Sequence, residues 1–516
     1  MGVSAQASSG RGRSLVPGLA QVRARRWLAL GLGALLPLAF APFGIYPLAP
    51  LCLAGLFALW EDERPRAAAS QAFCFGFGAF LVGLHWLYIS LHTFGKAPLF
   101  VSLPLMLGLI AVLSGYLAGL AYVVNRWFAM RGLARWLLVL PAAWTLVEWL
   151  RGWVLGGFPW LSIGYSQIDS PLAGLAPVAG VFAVSFVVAL TAGALIALVR
   201  GSHLQRVVAV VVAASLWLAS GALRAVEWTE PAGERISVAL VQGGITQDRK
   251  WLPEELEPTK ALYQLLTEQH LDADLIVWPE AAVPQLLDEM AAWLEPIFEM
   301  VHTRGKSLIF GVVEYDASTQ SYYNAVLGYD GNISVYRKRH LVPFGEFFPV
   351  PAFVRKWLRL MSLPYTDFAH GDAAQPPLAL DGQHIGVSIC YEDAFGNELI
   401  GVLDRATLLA NVSNDAWFGG SVAPHQHLQI ARMRALEAGR YLMRTTNTGI
   451  TAVIDAEGRV EKAIPQFDPA VLSGSVQPRT GLTPYARFGN WPVILCTLLA
   501  LAAVGATARW RRVTAP

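Results

Sequence analysis

Acidic residues are distributed very unevenly along this chain of 516 residues. Only 5 of the 37 Asp and Glu residues fall within residues 1–220, and the other 32 fall within the remaining 296. The acid-poor part consists of long apolar stretches, whereas the part from about residue 224 to 488 is much more polar. We therefore expect a membrane α-helical bundle in a lipid bilayer and a separate folded domain in water.

Eight apolar stretches approach the length that a helix needs to cross a hydrocarbon core of roughly 30 Å. They cover residues 27–42, 44–60, 72–91, 98–125, 136–154, 172–199, 206–223 and 491–508. The first two are short and interrupted by prolines. The pattern predicts about eight transmembrane helices: a seven-span bundle at 27–223 and, after a soluble domain at 224–488, an eighth helix at 489–508.

Basic residues predict the orientation in the membrane. If the N-terminus is cytoplasmic, segments on that side carry fifteen arginines, against Lys96 and Arg151 in the short outer loops. Such an excess follows the positive-inside rule. The basic segments 1–26 and 509–516 are then both cytoplasmic, and residues 224–488 face the periplasm of a bacterial inner membrane. A cleaved signal peptide is the alternative for the N-terminus, although no small-residue cleavage site is evident.

Strand and helix patterns alternate through residues 224–488. Short apolar or β-branched runs predict strands at 236–242, 274–279, 307–315, 324–329, 333–338, 385–390, 407–413, 450–455 and 471–476. Helices are expected at 253–270, 286–304 and 424–443, and hairpin turns at 329–332 and 455–458. Several strands are apolar on both faces, which predicts an α/β domain layered as an α-β-β-α sandwich.

Three of these strands end abruptly in ionisable residues. The segments are ADLIVWPEAAVP (273–284), ISVYRKRHLVPFGE (333–346) and HIGVSICYEDAF (384–395), which carry Glu280, Lys338 and Cys390 respectively. A buried strand that stops at a functional group presents it at the edge of a sheet. Acyl transfer through a thiol needs a nucleophile, a base and a cation for the developing oxyanion, and Cys390, Glu280 and Lys338 can supply these.

Cys390 is the one cysteine outside the predicted spans. The other three cysteines are Cys52, Cys74 and Cys496. The structural alternative for Cys390 is a buried core cysteine. The structural alternative for Glu280 and Lys338 is a salt bridge without a catalytic role. The Tyr-Glu-Asp at 391–393 favours a nucleophile, because polar and charged residues are uncommon beside a cysteine in an apolar core.

The motifs WPE (278–280), YRKRHLVPFGE (336–346), CYED (390–393) and NVSNDAWFG (411–419) resemble those of the carbon-nitrogen hydrolase (nitrilase) superfamily. With the predicted spans, nearly the whole chain is similar to the apolipoprotein N-acyltransferase family. The resemblance implies a nitrilase-like fold, with Glu280 as general base, Lys338 as oxyanion stabiliser and Cys390 as nucleophile. It also implies five residues that support the site or bind substrate: Trp251, Asn324, Glu346, Tyr391 and Glu392.

The resemblance implies a two-step reaction. Cys390 takes an acyl chain from a membrane phospholipid as a thioester, and the α-amine of the diacylglyceryl cysteine of an apolipoprotein then accepts it. The expected partners are therefore the phospholipid donor, the diacylated apolipoprotein and the bilayer. We expect no metal, because no His or Cys cluster has metal-ligand spacing and PHQH (424–427) more resembles the start of a helix. No organic cofactor is expected, and a net charge of +2 gives no sign of nucleic acid binding.

Two further patterns predict contacts with lipid or within the bundle. The apolar, Pro-rich segment 341–364 carries three interleaved basic residues, which favours a mobile arm at the membrane interface; a buried loop is the alternative. Glu148 and Arg151 are one helical turn apart, and an internal ion pair is expected, with a lipid headgroup contact as the alternative.

Two other functions remain open from these residues. A membrane-tethered amidase or nitrilase-type hydrolase would use the same triad with water as the acceptor, although one span is enough for a tether. A transporter would show charged or Gly/Pro-broken spans at the bilayer midplane. Substitution of Cys390 separates these functions, because transport should survive it and either enzyme should stop.

Overall fold

The chain forms a helical N-terminal region, a domain of two β-sheets and a C-terminal helix. The computed structural model describes residues 19–343, 345–347 and 367–514, without the side chains of Leu19 and of 508–514. Most of the predicted arm at 341–364 and most of the predicted N-terminal segment 1–26 therefore lie outside the described residues.

The helices of the N-terminal region follow the predicted apolar stretches, since a helix satisfies its backbone polar groups internally in lipid. They are α1 (Leu19–Leu35), α2 (Leu48–Trp60), α3 (Pro65–Gly83), α4 (Leu99–Trp127), α5 (Leu140–Arg151), α6 (Ala176–Arg200) and α7 (His203–Leu223). Within the described residues, three helical segments are long and apolar enough to cross a membrane: Leu99–Trp127, Pro171–Arg200 and His203–Leu223. A bent pair brings the number of candidate spans up to four.

The bent pair corrects the prediction of one continuous span at 72–91. Helix α3 ends at Gly83, and the next helical segment, Trp86–Phe94, is inclined to it by 57°. The Trp86 indole donates to Gln426 Oε1 at 3.3 Å and its ring packs against Phe418 at 4.8 Å. Segment 86–94 thus packs against the β-sheet domain, a tertiary contact that hydropathy does not reveal.

In the described part of residues 224–490, strands form two six-stranded sheets. The first sheet contains β2 (Ile236–Gln242), β3 (Leu275–Val277), β4 (Ser307–Asp316), β5 (Ser321–Tyr329), β6 (Ile333–Arg337) and β13 (Ala470–Val476). The second contains β7 (Leu378–Leu380), β8 (Gln383–Ile389), β9 (Leu408–Ser413), β10 (Leu442–Thr446), β11 (Ala452–Ile454) and β12 (Val460–Ala463). A small ribbon pairs β1 (Glu230–Pro231) with β14 (Arg479–Thr480).

Both sheets have the same pattern of strand directions. Their orders are β13-β2-β3-β4-β5-β6 and β7-β8-β9-β10-β11-β12. In each sheet, the second, third and fourth strands in this order run parallel to one another, and all remaining neighbouring pairs are antiparallel. The carboxyl ends of neighbouring parallel strands lie at one edge, so residues that follow β3, β8 and β9 can approach one another.

The sheets pack face to face and are covered by helices. Leu240 and Ile309 of the first sheet share a buried core with Val387 and Val412 of the second. The helices of this part of the chain are α8 (Pro253–Glu268), α9 (Leu287–Thr303), α10 (Gly396–Ile400), α11 (Ala423–Ala438), α12 (Pro484–Phe488) and α13 (Trp491–Thr514). Helices α8 and α9 cover the first sheet and α11 covers the second, which gives the predicted α-β-β-α layers.

The predicted helix at 424–443 ends five residues early. Gly439 follows Ala438 in the left-handed region, with φ +61°, and this conformation ends a helix. The apolar residues beyond it belong instead to β10, which pairs with β9. The short strands β7 and β12 were also absent from the prediction, because three or four residues carry little periodic signal.

Helix α11 docks the sheet domain onto the bundle. Helix α6 is kinked at Ala179 and Gly180, and Gly180 has φ +75°. The kink frees the Val181 N–H from the helix, and this group donates to Glu437 Oε1 of α11 at 2.7 Å. A Cβ on Gly180 would lie 2.4 Å from the Tyr485 ring, so only glycine fits this contact.

Candidate active site

The three predicted residues Glu280, Lys338 and Cys390 lie together at the ends of β3, β6 and β8. Lys338 Nζ is 3.3 Å from Glu280 Oε1, and both side chains are almost fully buried. The charges of both residues act on the Cys390 thiol, which is partly exposed. A carboxylate, an ammonium and a thiol therefore share one buried site at the edges of two sheets.

Cys390 occupies a sharp turn. It begins the 3₁₀ turn Cys390–Ala394 directly after β8, and its φ of +51° lies in the left-handed region that non-glycine residues rarely adopt. Its carbonyl oxygen accepts hydrogen bonds from Asn411 Nδ2 and His427 Nε2, each at 3.2 Å. Backbone strain of this kind persists only where neighbouring groups hold it, and here two side chains do so.

Both oxygens of Glu280 have donors. Oε1 accepts from Asn324 Nδ2 at 2.7 Å and from Lys338, and Oε2 accepts from the backbone N–H of Asn414 at 3.0 Å. Asn324, on β5, uses the same amide to donate to Glu346 Oε1 at 2.9 Å. Asn324 therefore joins the two carboxylates that flank Lys338.

The two further carboxylates hold Lys338 in different ways. Glu346 accepts directly from Lys338 Nζ at 2.8 Å. Glu392 instead binds the backbone on either side of the site: its Oε1 accepts from the backbone N–H groups of Arg339 and His340, and its Oε2 from that of Ile389. Glu392 thus ties the chain after Lys338 to the turn that carries the thiol.

The charges set the protonation of the site. Burial lowers the pKa of Lys338, but Glu346 and Glu280 outweigh it and hold this pKa well above its usual range, so the ammonium stays charged. Burial, with Glu280, raises the pKa of the Cys390 thiol well above its usual range. Lys338 lowers this pKa, but its effect is smaller than the combined effect of burial and Glu280. The thiol is therefore protonated at neutral pH, and a protonated thiol needs a base before it can act as a nucleophile.

Tyr391 and Trp251 lie away from these contacts. The Tyr391 hydroxyl donates to Gly157 O of the helical region at 3.2 Å, and its ring stacks on Trp160. The Trp251 side chain is 55% exposed. Tyr391 therefore joins the Cys390 turn to the helical region, while Trp251 is largely exposed.

The segment that Tyr391 contacts is held by Glu148 and Arg151. Arg151 donates to Phe158 O at 2.5 Å and to Trp160 O at 2.6 Å, and Glu148 Oε1 accepts from Ile163 N at 2.8 Å. Both side chains are buried. The predicted direct ion pair is not among the contacts of the described residues; backbone groups of 158–163 bind Arg151 and one oxygen of Glu148 instead.

Sequence reasoning missed three residues around the site. Lys250 is buried; its Nζ donates to Glu280 O at 3.2 Å, and burial lowers its pKa to about 8. Asn414 binds Glu280 through its backbone, and His427 contacts the Cys390 carbonyl. Asn414 and His427 lie in the NVSNDAWFG and PHQH segments, which were noticed for other reasons. Lys250 lies in a polar loop, where a lysine is expected to be exposed, so nothing in the sequence predicts its burial.

Family models match two parts of the chain. The model for the apolipoprotein N-acyltransferase N-terminal domain matches residues 32–194, and the carbon-nitrogen hydrolase model matches residues 237–485. A Methylococcus capsulatus protein named apolipoprotein N-acyltransferase is 44% identical over 476 residues, which are 91% of this chain and 94% of that protein. The chain belongs to the apolipoprotein N-acyltransferase family. A relative of the same name from Chromobacterium violaceum is 45% identical over 484 residues, 93% of each protein.

Membership of this family makes the chain an enzyme of the acyltransferase class, and it does not favour the hydrolase alternative. Among solved structures, a carbon-nitrogen hydrolase superfamily protein from Xanthomonas campestris with an arsenic adduct in its active site is similar to part of this chain. It is 19% identical, covers 51% of this chain and 97% of its own, and has a TM-score of 0.35.

Proposed function

We propose that this enzyme moves an acyl chain from a membrane phospholipid, through a thioester on Cys390, to the α-amine of the diacylglyceryl cysteine of an apolipoprotein. The observation that carries the proposal is the buried cluster of Glu280, Lys338 and Cys390 in a domain docked on an apolar helical bundle. The names of the relatives support a lipoprotein as the acceptor.

In the first step, the Cys390 sulfur attacks the ester carbonyl carbon of the phospholipid, and Glu280 takes the thiol proton. A base is needed because burial and Glu280 keep the free thiol protonated. The carbonyl oxygen becomes negatively charged, and the Lys338 ammonium stabilises it. When the C–O bond breaks, the glycerol oxygen takes the proton from Glu280 and leaves as lysophospholipid, so the acyl chain remains on sulfur.

In the second step, the amine of the lipoprotein cysteine attacks the thioester carbonyl. Glu280 takes a proton from the attacking amine, the C–S bond breaks, and the Cys390 sulfur recovers a proton from Glu280. The products are an amide and the free thiol, and the net reaction exchanges an ester for an amide. Water must be kept from the thioester, because hydrolysis would convert the enzyme into a phospholipase.

Glu346 and Asn324 keep this cluster in place. With Glu346 at 2.8 Å and Glu280 at 3.3 Å, Lys338 stays charged in a buried site. Asn324 donates to both carboxylates, which keeps their oxygens at a fixed separation around the ammonium. We assign these two residues, with Glu392, to positioning the site, and Trp251 to substrate contact.

For the membrane arrangement, we propose eight spans with both termini cytoplasmic. The bundle (27–223) and the last helix (489–508) would lie in the inner membrane and the catalytic domain (224–488) in the periplasm. The contacts between the two regions support one common side: the catalytic domain touches segment 86–94 and residues 157–160, which lie at or next to predicted outer loops. The positive-inside count supports the same orientation.

The test is intact-protein mass spectrometry of the detergent-solubilised enzyme after incubation with phospholipid. We expect a mass increase of one acyl chain, which neutral hydroxylamine removes. Cys390→Ser should show no such increase. When a diacylated lipopeptide is then added, the acyl chain should move to its amine. An adduct that decays only to free fatty acid would indicate a hydrolase. Cys496→Ser, in the last helix, is the matched control and should acylate normally.

A further inference from the structure

Four ionisable side chains form a sealed cluster beneath the Cys390 turn. Asp393, Asp415, His427 and Arg444 have no solvent-exposed side-chain surface. They come from different elements: the turn after β8, the turn after β9, helix α11 and strand β10. We call them the clamp cluster. The proposed mechanism gives none of them a role, yet burying four ionisable groups is costly unless they are mutually paired.

His427 is bound on both ring nitrogens. Nδ1 lies 2.8 Å from Asp415 Oδ1, and Nε2 lies 3.0 Å from Asp393 Oδ1 and 3.2 Å from the Cys390 carbonyl oxygen. Because every partner is an acceptor, both nitrogens must carry hydrogen, so the ring is an imidazolium. Burial and Arg444 lower the pKa of His427, but the two carboxylates outweigh them and raise it to about 9.

Arg444 completes the charge balance. Its guanidinium lies 2.7 Å from Asp415 Oδ2, 3.4 Å from Asp393 Oδ2 and 2.6 Å from Asn411 Oδ1. The cluster thus contains two carboxylates and two cations, with a formal net charge of zero. The rings of Trp160 and Phe418, which carry no charge, also lie beside the imidazolium. Loss of the imidazolium charge would leave a net negative charge beneath the thiol.

The clamp cluster joins two strained turns. Cys390 has φ +51° and Asp415 has φ +50°, both in the left-handed region. His427 binds the carbonyl of one and the carboxylate of the other, so a single ring sets their separation. Asp415 also raises the pKa of the Cys390 thiol, though less than burial and Glu280 do, and a positive His427 counteracts this effect.

A cysteine near a histidine often indicates that the imidazole is the base for the thiol. The geometry here is different, because Nε2 contacts the backbone oxygen of Cys390 and a carboxylate, and the ring already carries both protons. His427 therefore has no free nitrogen with which to accept a proton, and Glu280 remains the base.

We propose that His427, as an imidazolium held between Asp393 and Asp415, positions Cys390 for attack by binding its carbonyl oxygen and neutralises the carboxylates beneath the thiol. The inference rests on the proposed role of Cys390 as the nucleophile. It makes His427 a positioning residue for acyl-enzyme formation, and it predicts an effect on the rate of attack and on thiol acidity rather than on lipid binding.

Two substitutions separate the contacts of the ring. His427→Asn can keep a bond to Asp415 but loses the bond to the Cys390 carbonyl, whereas His427→Gln can keep a donor near that carbonyl. His425→Asn, on the same helix and only partly buried, is the matched control. The full-length enzyme in detergent is mixed with micelles of phosphatidylethanolamine and phosphatidylglycerol, and acyl-enzyme formation is followed by intact mass per titrated Cys390 thiol.

We expect His427→Asn to lower the acylation rate about 100-fold, the size of effect that a misplaced reacting group produces, with the apparent KM for lipid nearly unchanged. His427→Gln should lose about 10-fold, and His425→Asn should match wild type. In both His427 variants, the pH midpoint for alkylation of Cys390 by iodoacetamide should move upward, since a positive charge near the thiol has been removed.

The inference is wrong if both His427 variants are acylated at the wild-type rate per titrated thiol. It is also wrong if the variants only lower the yield of folded protein and leave the acylation rate and the alkylation profile unchanged. If His427→Asn does not fold, His427→Gln alone decides by the same criteria. Persistent acyl transfer in Cys390→Ser would remove the proposed function and the inference together. An inactive Cys390→Ser with unaffected His427 variants would remove only the inference.

Discussion

Two buried groups of charges flank Cys390, and their compositions differ. The proposed catalytic cluster, Glu280, Lys338 and Glu346, has two carboxylates against one ammonium, and its carboxylate side chains are 10% and 14% exposed. The clamp cluster has two carboxylates, two cations and no exposure. With a formal charge of −1, the first cluster can accept the proton that the proposed mechanism removes from Cys390, whereas the clamp cluster is neutral and sealed. The difference supports the proposed division between a site for chemistry and a group that holds it in place.

The largest expected effect comes from removing the cation or the base of the catalytic cluster. Lys338→Met and Glu280→Gln should each slow acyl-enzyme formation at least about 1,000-fold, because oxyanion stabilisation or proton removal is lost. Single-turnover mass spectrometry measures this. Lys306→Met, which removes a surface pair with Asp274, is the control and should keep full activity. Acylation within tenfold of wild type in either variant would contradict the assigned role.

Removing a cation from the clamp cluster should affect stability instead. Arg444→Met leaves two buried carboxylates with one cation, and breaking such a pairing costs about 3–5 kcal/mol. Thermal unfolding in detergent should show a clear fall in Tm, whereas Arg405→Met, which removes an exposed pair with Asp404, should leave Tm unchanged. Equal Tm values for wild type and Arg444→Met would mean that the clamp cluster does not hold the fold.

Thiol acidity sharpens the contrast further. Glu280 raises the pKa of Cys390, so Glu280→Gln should move the alkylation midpoint of the thiol to lower pH while acyl transfer is lost. Lys338 lowers this pKa, and Lys338→Met should move the midpoint the other way. Iodoacetamide labelling across pH measures both shifts. Shifts in the same direction would show that the two charges do not act on the thiol as the geometry indicates.

The pH dependence of stability tests the charge of His427. Its pKa of about 9 in the folded protein exceeds the ordinary value of about 6.5, so the proton binds the folded state more tightly. This contribution is complete below about pH 6.5 and is lost as pH rises through 9. Wild-type Tm should fall over this window, and His427→Gln should fall less. Parallel curves would show that the ring is neutral.

The smallest effect is expected at the contact between the catalytic domain and the bundle. Tyr391→Phe removes the hydrogen bond to Gly157 O but keeps the ring stacked on Trp160, and one such bond contributes about 1 kcal/mol. We expect a few-fold loss of acyl transfer and a small fall in Tm. Tyr391→Ala also removes the stacked ring and should cost more; equal behaviour of the two variants would contradict a docking role.

Local signals predicted much of this architecture. Strand β2 was expected at 236–242 and has those bounds, and the hairpin turn at 329–332 joins two expected strands, β5 and β6. The turn at 455–458 was also expected, although it joins β11 to a strand, β12, that was not. Alternation and helical periodicity depend on neighbours in the chain, so they are visible without a structure. The residues Glu280, Lys338 and Cys390 could be singled out because each follows an apolar run abruptly and carries a reactive group.

The tertiary structure decided what joins these segments. The bend after Gly83, the docking of Tyr391, and the burial of Lys250 depend on partners far away in the chain. The clamp cluster shows the reason most clearly, since its members look like ordinary charged residues and lie at 393, 415, 427 and 444. The sequence by itself determined the division of the chain into two regions, the layers of the polar domain and the identity of the three reactive residues. Only folding decided which charges become buried together, because the energy of a charge depends on its surroundings in space.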